Sequence, residues 1–246
     1  MEQFNAANQA AVSIAGTTAV NAAIGRAARN ASVPPGTAPS SAAGAMDFAT
    51  VVAASAAGIG TAVGNCASAP AFDYRSDPAI TAQTKKQFID NLVQHSRTSG
   101  HAFDTRVALE ARDLLGEFRG QMAPYGLRMN NLSDVATGYW IANWSIANQN
   151  ALPSTSQVQA ARSQLCGALL RDARTAHIDD AGRQRLSEAL IYQTVFALGT
   201  REHLLRTSNS SGMRTLADII DRAVLAQGGV DLRRLQLGDG HGFVAH

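Results

Sequence analysis

Between Asp73 and about Gly228, the chain contains successive stretches in which apolar residues recur every three or four positions, and this spacing constrains the fold more than any other feature. It places apolar side chains on one face of an α-helix, whereas a half-buried strand would show strict alternation. Short breaks separate the periodic stretches, so neighbouring helices are expected to pack antiparallel. The sequence predicts an all-α protein: a bundle of about six helices in residues 73–246, preceded by two small-residue helical segments.

Capping residues indicate where the helices of residues 73–246 begin. Ser154 and Gln157 have the spacing of a capping box, in which each side chain bonds the backbone amide of the other residue. One helix is expected to run without a break from near Asp104 to Arg119, and the tail after Gly229 is expected to pack as one irregular segment. Helix starts are predicted near Asp77, Asp104, Asn130 or Asn131, Ser154, Asp179 and Gly212.

Charge divides the chain near residue 72. A proline-rich linker at 33–41 separates two small-residue segments, at about 5–30 and 47–65. We therefore predict a low-charge N-terminal region, residues 1–72, and a helical core domain, residues 73–246. The charged side chains of the first region are Glu2, Arg26, Arg29 and Asp47, whereas charges occur every few residues from Asp73 onward.

The small residues of the N-terminal region predict an interaction surface. Gly60 and Gly64 form a GxxxG pair with Ala56 one turn earlier, and Ala15 and Ala19 are one helical turn apart. On a helix, such residues form a flat strip that another helix can approach closely. Large low-charge apolar surfaces are rarely left exposed, so we expect pairing either within the chain or between subunits, with a homo-oligomer favoured.

The two cysteines, Cys66 and Cys166, have neither a CxxC spacing nor histidines at zinc-finger spacing. They are either two buried thiols or, if the protein is exported, one disulfide that ties the N-terminal third to the helical body. The chain starts Met1-Glu2-Gln3, with an acid where a secretory signal has basic residues. The sequence therefore leaves two alternatives, a cytoplasmic protein or an exported one whose leader has been removed.

No motif carries chemistry at a specific spacing, so no catalytic, cofactor-binding or metal-ligating residue is predicted. The net charge is +2 and basic residues do not cluster, which argues against nucleic-acid binding. Glu188 shares a helix face with Gln184 and Tyr192 by i, i+4 spacing. A polar stripe or a buried hydrogen-bond network is favoured there over a general acid or base. His241 lies in the tail and is expected at the surface.

Both tryptophans of the chain, Trp140 and Trp144, lie one turn apart on the same predicted helix. An exposed pair of this kind would be a binding hot spot. In a chain with only 6% aromatic residues, the pair is more readily explained as the bulky centre of the core.

Three segments, Ala123–Trp144, Arg183–Tyr192 and Leu235–Phe243, resemble a domain of unknown function common in exported proteobacterial proteins. Their sequences are APYGLRMNNLSDVATGYWIANW, RQRLSEALIY and LQLGDGHGF. The last segment has Leu237-Gly238 where the family ends in Leu-Thr-x-x-Gly-Phe. The resemblance covers about residues 73–246 and implies an all-helical domain and export. It implies no activity and no catalytic residues.

The leading functional hypothesis is a non-enzymatic structural or interaction protein that self-assembles or binds a protein partner through its N-terminal helices. The first alternative is an enzyme with a pocket in the helical domain, using Glu188 and His241. The second is membrane association, since residues 48–72 carry no charge. Polar residues interrupt that run and alanine and glycine contribute little to partitioning, which makes a membrane span the weaker hypothesis.

Overall fold

The computed structural model describes residues 48–60, 66, 70–94 and 106–245. Within this part the predicted all-α class is confirmed, with one small sheet in addition. The helices are α1 (Phe48–Ala56), α2 (Pro78–Gln94), α3 (Leu114–Met122), α4 (Leu132–Ala147), α5 (Thr155–Arg171), α6 (Asp180–Arg206) and α7 (Ser210–Gly228). The strands are β1 (Leu235–Gly238) and β2 (Gly242–Ala245), which pair antiparallel.

Side-chain caps fix the starts of the long helices, close to the predicted positions. Asn131 accepts from the backbone N–H of Asp134 at the start of α4. Ser154 and Gln157 form the predicted capping box at α5, with bonds of 3.3 and 3.0 Å. The Asp179 carboxylate accepts from the backbone N–H of Gly182 at 2.7 Å at the start of α6. Each cap bonds an amide that the helix itself leaves without a partner.

Helices α4 and α6 form the centre of the bundle. In α4 every residue except Trp144 is buried, because α5, α6 and α7 all pack around it. The middle of α6 is buried on most of its circumference, with Ile191 and Val195 fully enclosed. Polar side chains carried inward by these two helices must therefore find partners inside the protein.

Helix α1 belongs to the same core. Its Val51 and Val52 are each 1% exposed, and α1 packs against α5 and α7. Gly228 of α7 lies so close that a Cβ there would meet a methyl carbon of Val52 at 3.1 Å. The division of the chain near residue 72 stays a prediction, but residues on both of its sides share one hydrophobic core.

The tail is not the irregular segment predicted from the sequence, and that prediction was wrong. Residues 235–245 form a hairpin in which Leu237 pairs with Phe243 and Gly238 pairs with Gly242. The turn requires left-handed backbone at Gly240 and Gly242, with φ of 75° and 70°, which glycine adopts without strain. Leu235 and Leu237 are buried while the residue between them is exposed, which is strand alternation over a very short run.

The single helix predicted from Asp104 to Arg119 is also corrected. Residues 106–111 are helical, the chain breaks at 112–113, and α3 starts at Leu114. The Asp113 carboxylate accepts from the backbone N–H of Gly116 at 2.9 Å. An aspartate that caps a helix in this way begins a new helix and does not continue the preceding one.

Candidate functional site

The polar face predicted on α6 surrounds a buried carboxylate. Gln184 Nε2 donates to Glu188 Oε1 at 2.9 Å, and the Tyr192 hydroxyl donates to Oε2 at 3.3 Å. From α2, the Thr81 hydroxyl donates to Oε1 at 2.6 Å. Glu188 is 3% exposed, so three side chains of the protein take the place that water would occupy around the carboxylate.

Gln184 extends this network to the backbone at the start of α2. Its Oε1 accepts from the backbone N–H of Asp77 at 2.8 Å, and its Nε2 donates to the carbonyl of Asp77 at 2.8 Å. The amide is therefore bonded on both sides to one residue of the facing segment. These contacts form a buried hydrogen-bond network that joins α2 to α6, which is one of the structural alternatives left open by the sequence.

Two buried phenols beside Glu188 are held in their protonated form. Burial raises the pKa of Tyr192, and the negative charge of Glu188 raises the pKa further. Burial likewise raises the pKa of Tyr74, with an additional contribution from Glu188. At neutral pH both phenols can donate: Tyr192 to Glu188, and Tyr74 to the carbonyl of Met129 at 2.6 Å.

His241 lies in a different part of the fold. It is exposed in the turn between β1 and β2, where its backbone N–H donates to the carbonyl of Gly238 at 3.4 Å. The two strands pack against α5, whereas the Glu188 carboxylate bonds to α2. The structure does not bring together the glutamate and histidine that the sequence suggested as partners in an enzyme.

A second polar cluster lies at the start of α4, within the segment 123–144 that carries the family resemblance. The Asp134 carboxylate accepts from Nε and Nη2 of Arg162 at 2.6 and 2.9 Å. Arg128 donates its backbone N–H and its Nε to Asp134 Oδ2 at 3.1 and 3.2 Å. The Asp134 side chain is 3% exposed, so this is a buried carboxylate neutralised by two arginines.

The same cluster holds the chain segment that precedes α2. Arg128 Nη2 lies 3.0 Å from Asp73 Oδ1, and Asn131 Nδ2 donates to that oxygen at 2.6 Å. The backbones of Asp73 and Asn131 also form an antiparallel bridge. Sequence reasoning missed this cluster, because Asp73 and Arg162 are far from α4 in the chain and no charge pattern indicates the pairing.

The hairpin packs on the two tryptophans through Phe243. The Phe243 ring is fully buried, with its centroid 6.2 Å from that of Trp140 and 6.4 Å from that of Trp144. Trp140 is fully buried, which confirms the predicted core position, and Trp144 is partly buried. The Trp140 Nε1–H donates to Ser55 of α1 at 2.7 Å, so the aromatic centre also holds α1.

Side chains from the helices bond the outer edges of the hairpin. On β2, Gln164 Oε1 accepts from the backbone N–H of Phe243 at 2.7 Å, and Nε2 donates to its carbonyl at 2.8 Å. On β1, Trp144 Nε1 donates to the carbonyl of Leu235 at 2.9 Å, and Gln157 Nε2 to that of Leu237 at 3.0 Å. A two-stranded sheet is only marginally stable alone, and these bonds replace the neighbouring strands.

Cys66 and Cys166 are joined by a disulfide, with their Cα atoms 5.9 Å apart. Cys166 lies on α5, and Cys66 follows the turn after α1. Both residues are buried, at 7% and 2% exposure for Cys66 and Cys166. The bond therefore ties the chain beyond α1 to the side of α5.

The small-residue strip is not a continuous helix, and the helical position predicted for Gly60 was wrong. Helix α1 ends at Ala56, and residues 57–60 form a turn in which Gly60 has a φ of 76°. The Gly60 N–H donates to the carbonyl of Phe243 at 3.0 Å, so the turn meets the hairpin instead of continuing the helix. Glycine adopts this left-handed backbone without strain, and a longer helix would lose that contact.

Ala56 is buried inside its own chain, with its Cβ 3.7 Å from the position of a Cβ on Gly228. The remaining residues of the predicted interaction surface, Gly64, Ala15 and Ala19, lie outside the described residues. Among the helices that the structure describes, none is both long and apolar enough to cross a bilayer.

The fold and its polar clusters define a helical protein whose C-terminal hairpin packs on the two tryptophans of α4. The chain belongs to a family of unknown function, DUF6683, whose model matches residues 2–245. The match extends over the N-terminal third, which the resemblance noted from the sequence did not include. No curated protein and no solved structure shows significant similarity to the chain.

Proposed function

We propose that this protein is a non-enzymatic structural or interaction protein, exported from the cytoplasm, that self-assembles or binds a protein partner through its low-charge N-terminal region. The observation that carries the non-enzymatic part of the proposal is the hydrogen bonding of Glu188. Its oxygens accept from Gln184 and Tyr192 of α6 itself and from Thr81 of α2, and the bond from Thr81 joins α2 to α6. A general acid or base needs a proton-transfer path to a substrate, whereas this carboxylate is committed to holding two helices together.

The segments that resemble the family support the same proposal. At the start of α4 the Asp134 carboxylate pairs with Arg128 and with Arg162 of α5, and Gln164 bonds both backbone groups of Phe243. In each case a polar side chain satisfies a buried group elsewhere in the chain. Buried polar networks that are fully bonded make the packing of a fold specific, which is a structural role.

Export is supported by the bond between Cys66 and Cys166. Disulfides form and persist in oxidising compartments and are rare in the cytosol, where thiols are kept reduced. The bond closes a loop of 100 residues in sequence, so it constrains much of the unfolded chain. A bond between such distant segments is in keeping with a protein that folds in an oxidising compartment.

Assembly is proposed to involve the segment that carries Ala15 and Ala19. The strip around Ala56 packs inside the chain, so inter-subunit contact is assigned to residues further towards the N-terminus. Alanines one helical turn apart allow two helices to approach closely, which favours a second copy of the same segment as partner.

Size-exclusion chromatography with light scattering tests this proposal. The full chain is compared with Ala15→Glu combined with Ala19→Glu, which places two charges on the proposed contact. The wild-type mass is expected to exceed the 25.8 kDa of one chain, and the variant is expected to elute as a monomer. Ala226→Glu is the matched control, because Ala226 is exposed on α7 and should leave assembly unchanged.

Two results would contradict the proposal. A wild-type protein that is a clean monomer in dilute buffer would exclude self-assembly. A variant that keeps the wild-type mass would exclude Ala15 and Ala19 from the contact. Circular dichroism of each variant establishes that any loss of assembly does not come from unfolding.

A further inference from the structure

Arg119 of α3 is bonded in an unusual way. Its Nε and Nη2 both donate to the Sδ atom of Met129, at 3.3 and 3.2 Å. The planar guanidinium normally pairs with two oxygens of a carboxylate or phosphate, whereas a thioether sulfur is a weak acceptor. Among the described residues no carboxylate forms an ion pair with Arg119, so a strong double donor is directed at a weak acceptor.

The Met129 backbone is held by a hydrogen bond, and the residue is partly exposed. Met129 is only partly buried, while Met122 is fully buried and Met213 is 7% exposed. The backbone carbonyl of Met129 accepts from the Tyr74 hydroxyl at 2.6 Å. The residue therefore lies in the turn just before α4, beside the Asp134 cluster, and is less buried than Met122 and Met213.

We propose that Met129 is a site of reversible oxidation by peroxides, and that Arg119 binds the oxygen of the resulting sulfoxide. In the reaction a sulfur lone pair attacks one peroxide oxygen and the O–O bond breaks. The sulfur is oxidised by two electrons to the sulfoxide, and hydrogen peroxide is reduced to water. A dithiol reductant of the methionine sulfoxide reductase class reverses the step, giving the thioether, a disulfide and water.

The position of Arg119 determines the consequence of this oxidation. A sulfoxide in an apolar site usually disrupts packing, because a polar group has replaced an apolar one. Here the new oxygen is a strong acceptor placed beside two guanidinium donors. Oxidation exchanges a weak acceptor for a strong one, so the contact between α3 and the turn before α4 becomes tighter.

The test uses the full chain treated with dilute hydrogen peroxide, quenched with free methionine, digested and analysed by mass spectrometry. Met129 is expected to gain one oxygen at least about tenfold faster than Met122 or Met213, because buried sulfurs react only when the fold opens. Equal rates for the three methionines would overturn the proposal.

A second measurement tests the role of Arg119 through thermal unfolding before and after oxidation. Met129→Leu, treated identically, accounts for oxidation of the other methionines. After the change seen in Met129→Leu is subtracted, oxidation is expected to leave the midpoint of wild-type thermal unfolding unchanged or to raise it. Oxidation should lower the midpoint of Arg119→Ala, where the sulfoxide has lost its donors. The same decrease in the wild type and in Arg119→Ala would overturn the assigned role of Arg119.

Discussion

Asp134 provides a demanding test of the view that the polar cluster at the start of α4 holds the fold together. Its carboxylate is the acceptor for both Arg162 and Arg128, and its side chain is 3% exposed. Asp134→Ala would leave the Arg162 guanidinium, 14% exposed, without its ion-pair partner. Removing one member of a buried ion pair costs about 3–5 kcal/mol, and the free energy of unfolding should fall by this amount.

Urea unfolding followed by tryptophan fluorescence and circular dichroism measures this loss. Asp218→Ala is the matched control, because Asp218 pairs with Arg233 while 49% exposed, and exposed ion pairs contribute little to stability. Asp134→Leu combined with Arg162→Met removes both charges and should recover part of the stability. The reasoning is refuted if Asp134→Ala costs no more than Asp218→Ala.

Three further predictions concern the core, the disulfide and the buried phenols. Trp144→Ala should lower the free energy of unfolding by about 3 kcal/mol. This is the lower end of the range for truncating a large aromatic residue, because the ring is only partly buried. Urea unfolding that is unchanged in this variant would contradict the prediction. Replacing Cys66 and Cys166 by alanine should cost up to about 4.7 kcal/mol, the loop-closure value for 100 residues. Thiol titration of wild-type protein unfolded without reductant should find none, and two reactive thiols would exclude the bond. Folding raises the pKa of the buried phenols, so their contribution to the free energy of unfolding is complete below about pH 10. Above about pH 10 that contribution is lost, at about 1.4 kcal/mol for each phenol and each pH unit. Urea midpoints that stay constant between about pH 10 and 11 would contradict this for Tyr74, Tyr139 and Tyr192.

The sequence predicted the features that depend on neighbours along the chain. The capping box of Ser154 and Gln157 lies where it was predicted, because both bonds join residues three positions apart. The common face of Gln184, Glu188 and Tyr192 follows from helical geometry alone. Helix starts and helix faces are local properties, so a single sequence contains the information needed to place them.

Contacts between distant segments could not be predicted in this way. Arg162 bonds Asp134 from 28 residues away, and Gln164 bonds Phe243 from 79 residues away. In the sequence, Arg162 and Gln164 cannot be distinguished from the many polar residues that face solvent. The role of each becomes visible only when the helices have been packed.

Two errors had local signals that carried too little weight. The Leu235-Gln236-Leu237 alternation, followed by closely spaced glycines, indicates a hairpin, but four residues per strand give a weak pattern. Asp113 has the position of an N-cap three residues before Gly116, yet the apolar periodicity continued across it. In both cases a short local signal competed with a longer helical pattern.

The central claim is that Glu188 serves to join α2 to α6, and the coupling energy between Thr81 and Glu188 tests it most directly. Free energies of unfolding are measured for the wild type, Thr81→Val, Glu188→Met and the double variant, so that each single substitution removes the bond between the two side chains. Because the two side chains are joined by a direct bond of 2.6 Å, the sum of the two single-variant losses is expected to differ from the loss in the double variant by about 0.5–3 kcal/mol. Losses that add to within about 0.3 kcal/mol would show that the two side chains act independently, and would contradict the account.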